Sequence, residues 1–142
     1  CIRDRYYGYD DAIYASLKLI KILNNTKKTL NELTSVYMKS SSTPEIKLYC
    51  DEKIKFSLLD KIVEDIPKYY DSGVNLITID GVRLETENFW FLLRASNTQN
   101  CIVFRLEHFV KDKFKEELIK LISILETYSL DIKELTSFNQ TV

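Results

Sequence analysis

Hydrophobic and polar positions follow two different rhythms along this chain, and the change falls at a short polar stretch from Ser40 to Pro44. Before it the spacing is helical. A helix is expected to begin after Asp10 or Asp11, since either carboxylate can cap free N–H groups and favours the positive helix end. Ala12, Ala15, Leu19 and Ile22 line one face, with Ile13, Leu17 and Ile20 beside them, a stripe broad enough to need a substantial packing partner. Asn24 and Asn25 stop this helix. Thr29 followed by Glu32 fits a capping box, which starts a short helix carrying Leu30, Leu33 and Tyr37.

Ser40-Ser41-Ser42-Thr43-Pro44 reads as a linker, small and polar, with a proline that biases Thr43 away from helix. Beyond it, Glu45 to Cys50 alternates with period two, as a half-buried strand should. Asp51 is expected to cap a helix with Leu59, Ile62, Val63 and Ile66 on its inner side, ending at Pro67. Tyr69 and Tyr70 read as packing residues. Val74 to Ile79 is a strand, Asp80-Gly81 a hairpin signal, and Val82 to Leu84 its continuation. After a turn at Glu87-Asn88 come strands over Phe89 to Arg94 and Cys101 to Glu107, separated by the polar break Ala95 to Asn100. An amphipathic helix from about Lys111 to Thr127 gathers Phe114, Leu118, Leu121, Ile122 and Leu125. Residues 128–142 keep Leu130, Ile132, Leu135 and Phe138 without a clear period, so a loosely docked tail is expected.

If Val74 to Leu84 counts as one run broken by its turn, the order from Glu45 is strand, helix, three strands, helix. That order implies an α+β layered domain, both helices covering one face of a mostly antiparallel sheet. The domain limits read as 1–39 for the preceding helices, 40–127 for the layered domain and 128–142 for the tail. A chain opening on Cys1 and running straight into Arg3 and Asp4 also reads as a piece of a longer protein.

Composition narrows the partners. The 142 residues are 45% hydrophobic and 29% charged, enough for a real core. Lys and Arg number 20 against 21 acids, so no net field attracts nucleic acid or an anionic membrane, and no basic sheet face is expected. Cys1, Cys50 and Cys101 show no paired spacing, which argues against a disulfide framework or a cysteine zinc site and for a reducing cytoplasm. No run approaches the roughly 20 apolar residues of a membrane helix.

The chemically pointed segment is Arg94-Ala95-Ser96-Asn97-Thr98. A phosphate is well held by a guanidinium that bonds two oxygens at once, with short hydroxyl, amide and backbone N–H donors on a tight turn. The same five residues would equally make an ordinary polar turn closing a strand. The other polar candidates have plainer readings. His108 stands alone and reads as a surface or boundary histidine, and Trp90 as core. Arg83 reads as a strand-surface arginine, although it could face a cleft. Asp10 and Asp11 read as helix caps.

A family resemblance joins these segments. Tyr7 to Tyr14 resembles the end of the third domain of phosphomannomutase/phosphoglucomutase enzymes, and Ser42-Thr43-Pro44-Glu45-Ile46 resembles the start of their fourth. Asp80-Gly81-Val82-Arg83, Trp90, Arg94 to Thr98 and Arg105-Leu106-Glu107 match that fourth domain's later landmarks in order, so the likeness covers roughly residues 5 to 126. It implies a C-terminal α+β domain like the TATA-box-binding protein. Arg94 would be the bidentate anchor for the phosphate of a hexose phosphate, with Ser96, Asn97 and Thr98 as further donors. It also implies a parent enzyme that interconverts hexose 1-phosphate and hexose 6-phosphate. Its phosphoserine, magnesium-binding aspartates and sugar-reading Gly-Glu-x-Ser-Gly-His segment would lie in domains 1–3, on which this chain would pack. The fragment alone would then be inactive. Relatives acting on glucosamine phosphate tend to have Arg-Pro-Ser-Gly-Thr in the loop, which favours mannose or glucose phosphate here. Where the family usually has a proline two residues after the threonine, this chain has Gln99-Asn100, a difference that bears on the loop's rigidity more than its donors. The rival from another class is a non-catalytic protein-interaction module.

Overall fold

In the computed structural model, which describes residues 11–35, 40–70 and 73–142, Asp11 caps the first helix: its carboxylate accepts the Tyr14 N–H at 2.8 Å. Helix α1 runs Ala12–Thr26 and does not stop at Asn24 or Asn25. Lys27 ends it in the left-handed conformation at φ 56°, donating its N–H to Leu23 O. Both ends of the expected capping box are made before α2 (Leu30–Thr34), since Thr29 and Glu32 each bind the other's N–H. Asp10 and Tyr37 lie outside the described residues. The chain divides into two compact units, Cys1–Met38 and Lys39–Val142. In the first, α1 buries none of its residues.

The second unit is built on an antiparallel sheet. Its strands are β1 (Ser41–Ser42), β2 (Ile46–Tyr49), β3 (Asn75–Ile77), β4 (Val82–Glu85), β5 (Phe89–Ala95) and β6 (Cys101–His108). β3 to β6 form a meander, and β1 and β2 both pair with the free side of β6. Helices α3 (Lys55–Asp65), α4 (Lys111–Leu125) and α5 (Lys133–Thr141) complete the unit, with a 3-10 turn at Ile66–Tyr69 that begins where Pro67 breaks α3. This is the expected mixed helix and antiparallel sheet, with four strands in the run after α3.

Strand alternation decides what is buried. Val82, Leu84, Phe91, Leu93, Ile102, Phe104 and Leu106 face one way and pack with Leu59 and Ile62 of α3, Ile66 of the 3-10 turn and Phe114, Leu118, Leu121 and Leu125 of α4 in one core. His108 shares that parity, so it is buried rather than at the surface. It stacks on Phe89 with ring centres 5.5 Å apart, and its Nδ1 accepts the Val110 N–H at 3.0 Å. Trp90 has the opposite parity and leaves the core for the open face. Tyr70 packs as expected, its hydroxyl donating to Glu117 at 2.6 Å.

Three segments depart from the sequence-based expectations for local reasons. Ser40 to Pro44 is no free linker. Ser42 pairs with Glu107 and Ile46 with Phe104, so residues 43–45 oppose only 105–106, one extra residue on the β1–β2 side. This is a bulge, the position in a ladder that tolerates proline. Thr43 repairs it: its N–H donates to Leu106 O at 2.9 Å and its Oγ1 accepts the Leu106 N–H at 3.0 Å. Second, Asp51 does not cap α3. It accepts the Lys53 N–H in a turn, and the helix starts at Lys55. Third, residues 128–142 are no loose tail. Asp131 bridges Tyr49 on the outer edge of β2, and α5 buries Leu135 completely. An open strand edge is a liability, and this segment covers it.

Candidate functional site

β5 carries Arg94 to the sheet's end with its guanidinium on the face away from the helices. That side chain is 49% exposed, and Nε lies 3.9 Å from Asp80 Oδ2, itself largely exposed. Such a pair is weak, on the order of 0–1 kcal/mol. The guanidinium is therefore not committed to an internal ion pair.

Asp80 reaches Arg94 because Gly81 permits it. Gly81 has φ +79°, and a Cβ there would stand 2.1 Å from Leu93 O and 3.0 Å from Arg94 Cα. Only glycine combines that conformation with that approach. The hairpin lies against the end of β5 through its loop of residues 78–81, between β3 and β4, with Val82 already paired to Leu93.

The connection from β5 to β6 is the candidate loop. Ser96 is half-buried, whereas Asn97, Thr98, Gln99 and Asn100 are exposed. Ser96 N–H donates to Cys101 O, and Cys101 N–H to Gln99 O. Ser96 Oγ accepts the N–H groups of Thr98 at 3.4 Å and Gln99 at 3.2 Å. Ser96 is thus chiefly an organiser of the turn, with only its hydroxyl proton left to offer outward. Asn97 and Thr98 keep their side chains free for a ligand. Arg94, Ser96, Asn97 and Thr98 are together at one end of the sheet, as the sequence spacing alone would require. Cys50, at the same end, donates its N–H to Asn100 O, and burial pushes its thiol pKa up.

Two neighbours of the loop escape a sequence reading. One is Asp80, brought in by the hairpin. The other is Lys55, only 3% exposed, whose Nζ donates to Ser96 O at 2.7 Å and Gln99 O at 3.0 Å. A signal for Lys55 existed. Residues 55, 59, 62 and 66 fall on one helical face, and a cation heads that otherwise apolar stripe.

The open face of the sheet is richer in cations than the even charge balance suggested. By parity it carries Lys47, Arg83, Arg94 and Arg105 against Glu85 and Glu107. Arg83 lies 3.9 Å from the centre of the Trp90 ring and pairs with Glu85, holding that carboxyl below its ordinary value. Arg105 lies 5.9 Å from the same ring. Among the described residues no group of three or more His, Cys, Asp or Glu side chains could hold a metal, and no helix is long and apolar enough to cross a membrane.

The order of these features matches a known family. The family model described as "Phosphoglucomutase/phosphomannomutase, C-terminal domain" matches residues 45–120, from β2 into α4. This chain belongs to that family. The phosphomannomutase/phosphoglucomutase of Pseudomonas putida is 38% identical over 128 residues, covering 84% of this chain and 27% of that protein. A phosphoglucomutase of Neisseria meningitidis is 33% identical over 109 residues, covering 74% and 22%. The crystal structure of a phosphoglucomutase/phosphomannomutase family protein from Burkholderia thailandensis superposes with a TM-score of 0.68 at 27% identity, over 91% of this chain and 27% of that one. The chain thus spans about a quarter of the length of these relatives. As the family's C-terminal domain it brings Arg94, the β5–β6 loop and the Asp80–Gly81 turn to one place.

Proposed function

We propose that this C-terminal domain binds the phosphate of a hexose phosphate for a parent phosphomannomutase/phosphoglucomutase, with Arg94 as bidentate anchor and Ser96, Asn97 and Thr98 as donors. The observation that carries the proposal is Arg94 itself, half exposed, loosely paired with Asp80 and adjoining a tight turn whose Asn97 and Thr98 side chains face solvent. A guanidinium so placed can exchange a weak carboxylate contact for a dianion that takes two hydrogen bonds at once.

The parent would interconvert hexose 1-phosphate and hexose 6-phosphate of mannose or glucose. Because the sugar must turn over between two transfers, one phosphate site has to accept either end. Closing such a domain over the sugar would exclude water during transfer. Since Ser41 and Ser42 are paired to β6, the segment from Ser40 to Pro44 would travel with the sheet during closure. Phosphoryl transfer also needs an in-line nucleophile and metal-neutralised charge. The magnesium and the phosphorylated serine would belong to parts of the parent outside this chain, and the chain alone would be inactive. No nucleic-acid partner is proposed, because the open face mixes Lys47, Arg83, Arg94 and Arg105 with Glu85 and Glu107 and the chain carries 20 cations against 21 acids. The free thiols of Cys50 and Cys101 fit a reducing cytoplasm.

The test is Arg94→Ala in the parent enzyme. Loss of hydrogen bonds to a charged group should weaken substrate binding by about 1.5–3 kcal/mol, roughly 10- to 150-fold. Unchanged steady-state kinetics with either sugar phosphate would remove Arg94 from the site.

A further inference from the structure

Lys55 is the one lysine of the described residues that is buried, and its ammonium meets carbonyl oxygens rather than a carboxylate. A buried charge is tolerated only when it is well hydrogen-bonded, so its location in the fold calls for a reason. Both oxygens that it holds belong to the β5–β6 loop. The ring of Phe56 lies 5.2 Å from Nζ on another side.

The geometry of the peptide bond turns this contact into a directional device. All described peptide bonds are trans, so each carbonyl points opposite to the N–H of the next residue. With Ser96 O drawn onto Lys55, the Asn97 N–H is aimed away from the protein interior. With Gln99 O drawn the same way, the Asn100 N–H is aimed outward too. These two amides are the ones in the turn without a hydrogen bond. Those of Ser96, Thr98, Gln99 and Cys101 are all spoken for by Cys101 O, Ser96 Oγ and Gln99 O. The turn thus offers two separate outward N–H groups beside the Arg94 guanidinium, and an anion can take donors of both kinds.

We infer that Lys55 is the positioning residue of the anion loop: it grips the Ser96 and Gln99 carbonyls from inside and so presents the Asn97 and Asn100 N–H groups, beside Arg94, to a phosphate. This rests on the phosphate-binding reading of the loop. Lys55 does not touch the ligand. It acts through the backbone, and it adds a nearby positive charge without a carboxylate partner within salt-bridge distance.

The test compares the wild-type chain with Lys55→Met and Lys55→Gln by amide hydrogen exchange and by NMR titration with inorganic phosphate. Methionine keeps the stem and removes the donor. Glutamine keeps an N–H donor and removes the charge. In Lys55→Met the amides of Ser96, Thr98, Gln99 and Cys101 should exchange faster, while those of Phe104 and Leu118 in the core keep their protection. Phosphate should then bind about tenfold more weakly, the scale of one lost charge-assisted contact. Lys55→Gln should recover most of the loop's protection and part of the affinity, which a general loss of packing would not allow. It also carries the test should the methionine variant fail to fold. A wild-type phosphate response at Asn97 and Asn100 that is unchanged in both variants overturns the assignment of Lys55 alone. A wild-type chain with no phosphate response at the loop overturns the phosphate reading itself, whatever the exchange data show for Lys55.

Discussion

Arg94 and Gly81 form a pair in which one residue carries the chemistry and the other sets the distance. The guanidinium was legible in the sequence because strand parity sends it to the face away from the helices. Its contact with Asp80 was not, because no local pattern tells how closely a hairpin folds back on the next strand. Gly81→Ala tests that closeness. A Cβ 2.1 Å from Leu93 O, at φ +79°, forces the turn off β5. We expect a loss of more than about 1 kcal/mol in urea unfolding, together with a changed environment for the Arg94 Nε resonance. An alanine variant as stable as the parent chain would show that the turn does not bear on β5. His108 and Trp90 teach the same lesson in reverse: counting by twos from Phe91 and Ile102 sorts both onto their observed faces, whereas residue type alone misplaces them.

Among the elements, those with several repeats of their period were legible. The inner stripe of α4 is as expected, with Phe114, Leu118, Leu121, Ile122 and Leu125 all buried, and so is the alternation of β2, whereas β6 buries Cys101 to Phe104 in one run. Elements defined by a tertiary partner were not. The β1–β2 edge reads as a linker because its residues are small and polar, yet its hydrogen bonds to β6 are what shape it. α5 spans nine residues, too few turns to display a period, and gains its order from the edge of β2 that it covers. Thr43→Val examines the bulge. It conserves shape but leaves the buried Leu106 N–H without the Oγ1 acceptor, and should cost about 1–3 kcal/mol of stability. If the valine variant unfolds at the same denaturant concentration, water or a shifted backbone supplies that acceptor and the threonine is dispensable.

For the layered unit as a whole, two tyrosine hydroxyls tie the helices to one another. Tyr70 donates to Glu117 of α4, and Tyr128 donates at 3.1 Å to Asp65 of α3. Burial, then the carboxylate each one bonds, raises both phenols, that of Tyr128 up to about 12 from an ordinary 10.0. A raised folded-state pKa contributes stability that is complete below the unfolded value and is lost as pH rises through the folded value. The melting temperature should therefore hold up to about pH 10 and fall between there and about pH 12, and Tyr128→Phe should shrink that fall. A flat profile across the window would separate these hydroxyls from stability. At this scale the sequence carried the α+β class and the position of the loop. The stripe headed by Lys55 could be read along the chain, but its place under the loop and the approach of Asp80 could not, since nothing there announces which helix end or hairpin will stand beside residues 94–100.

The phosphate-binding role of that loop is the claim on which the rest depends, and titration of the 15N-labelled chain with glucose 6-phosphate, mannose 1-phosphate and unphosphorylated glucose tests it most directly. Both phosphates should move the resonances of Arg94 Nε, Asn97 and Thr98 in the same direction, the free sugar should leave them in place, and Arg94→Ala should abolish the response. Shifts that follow the sugar rather than the phosphate, or that appear away from residues 94–100, would contradict it.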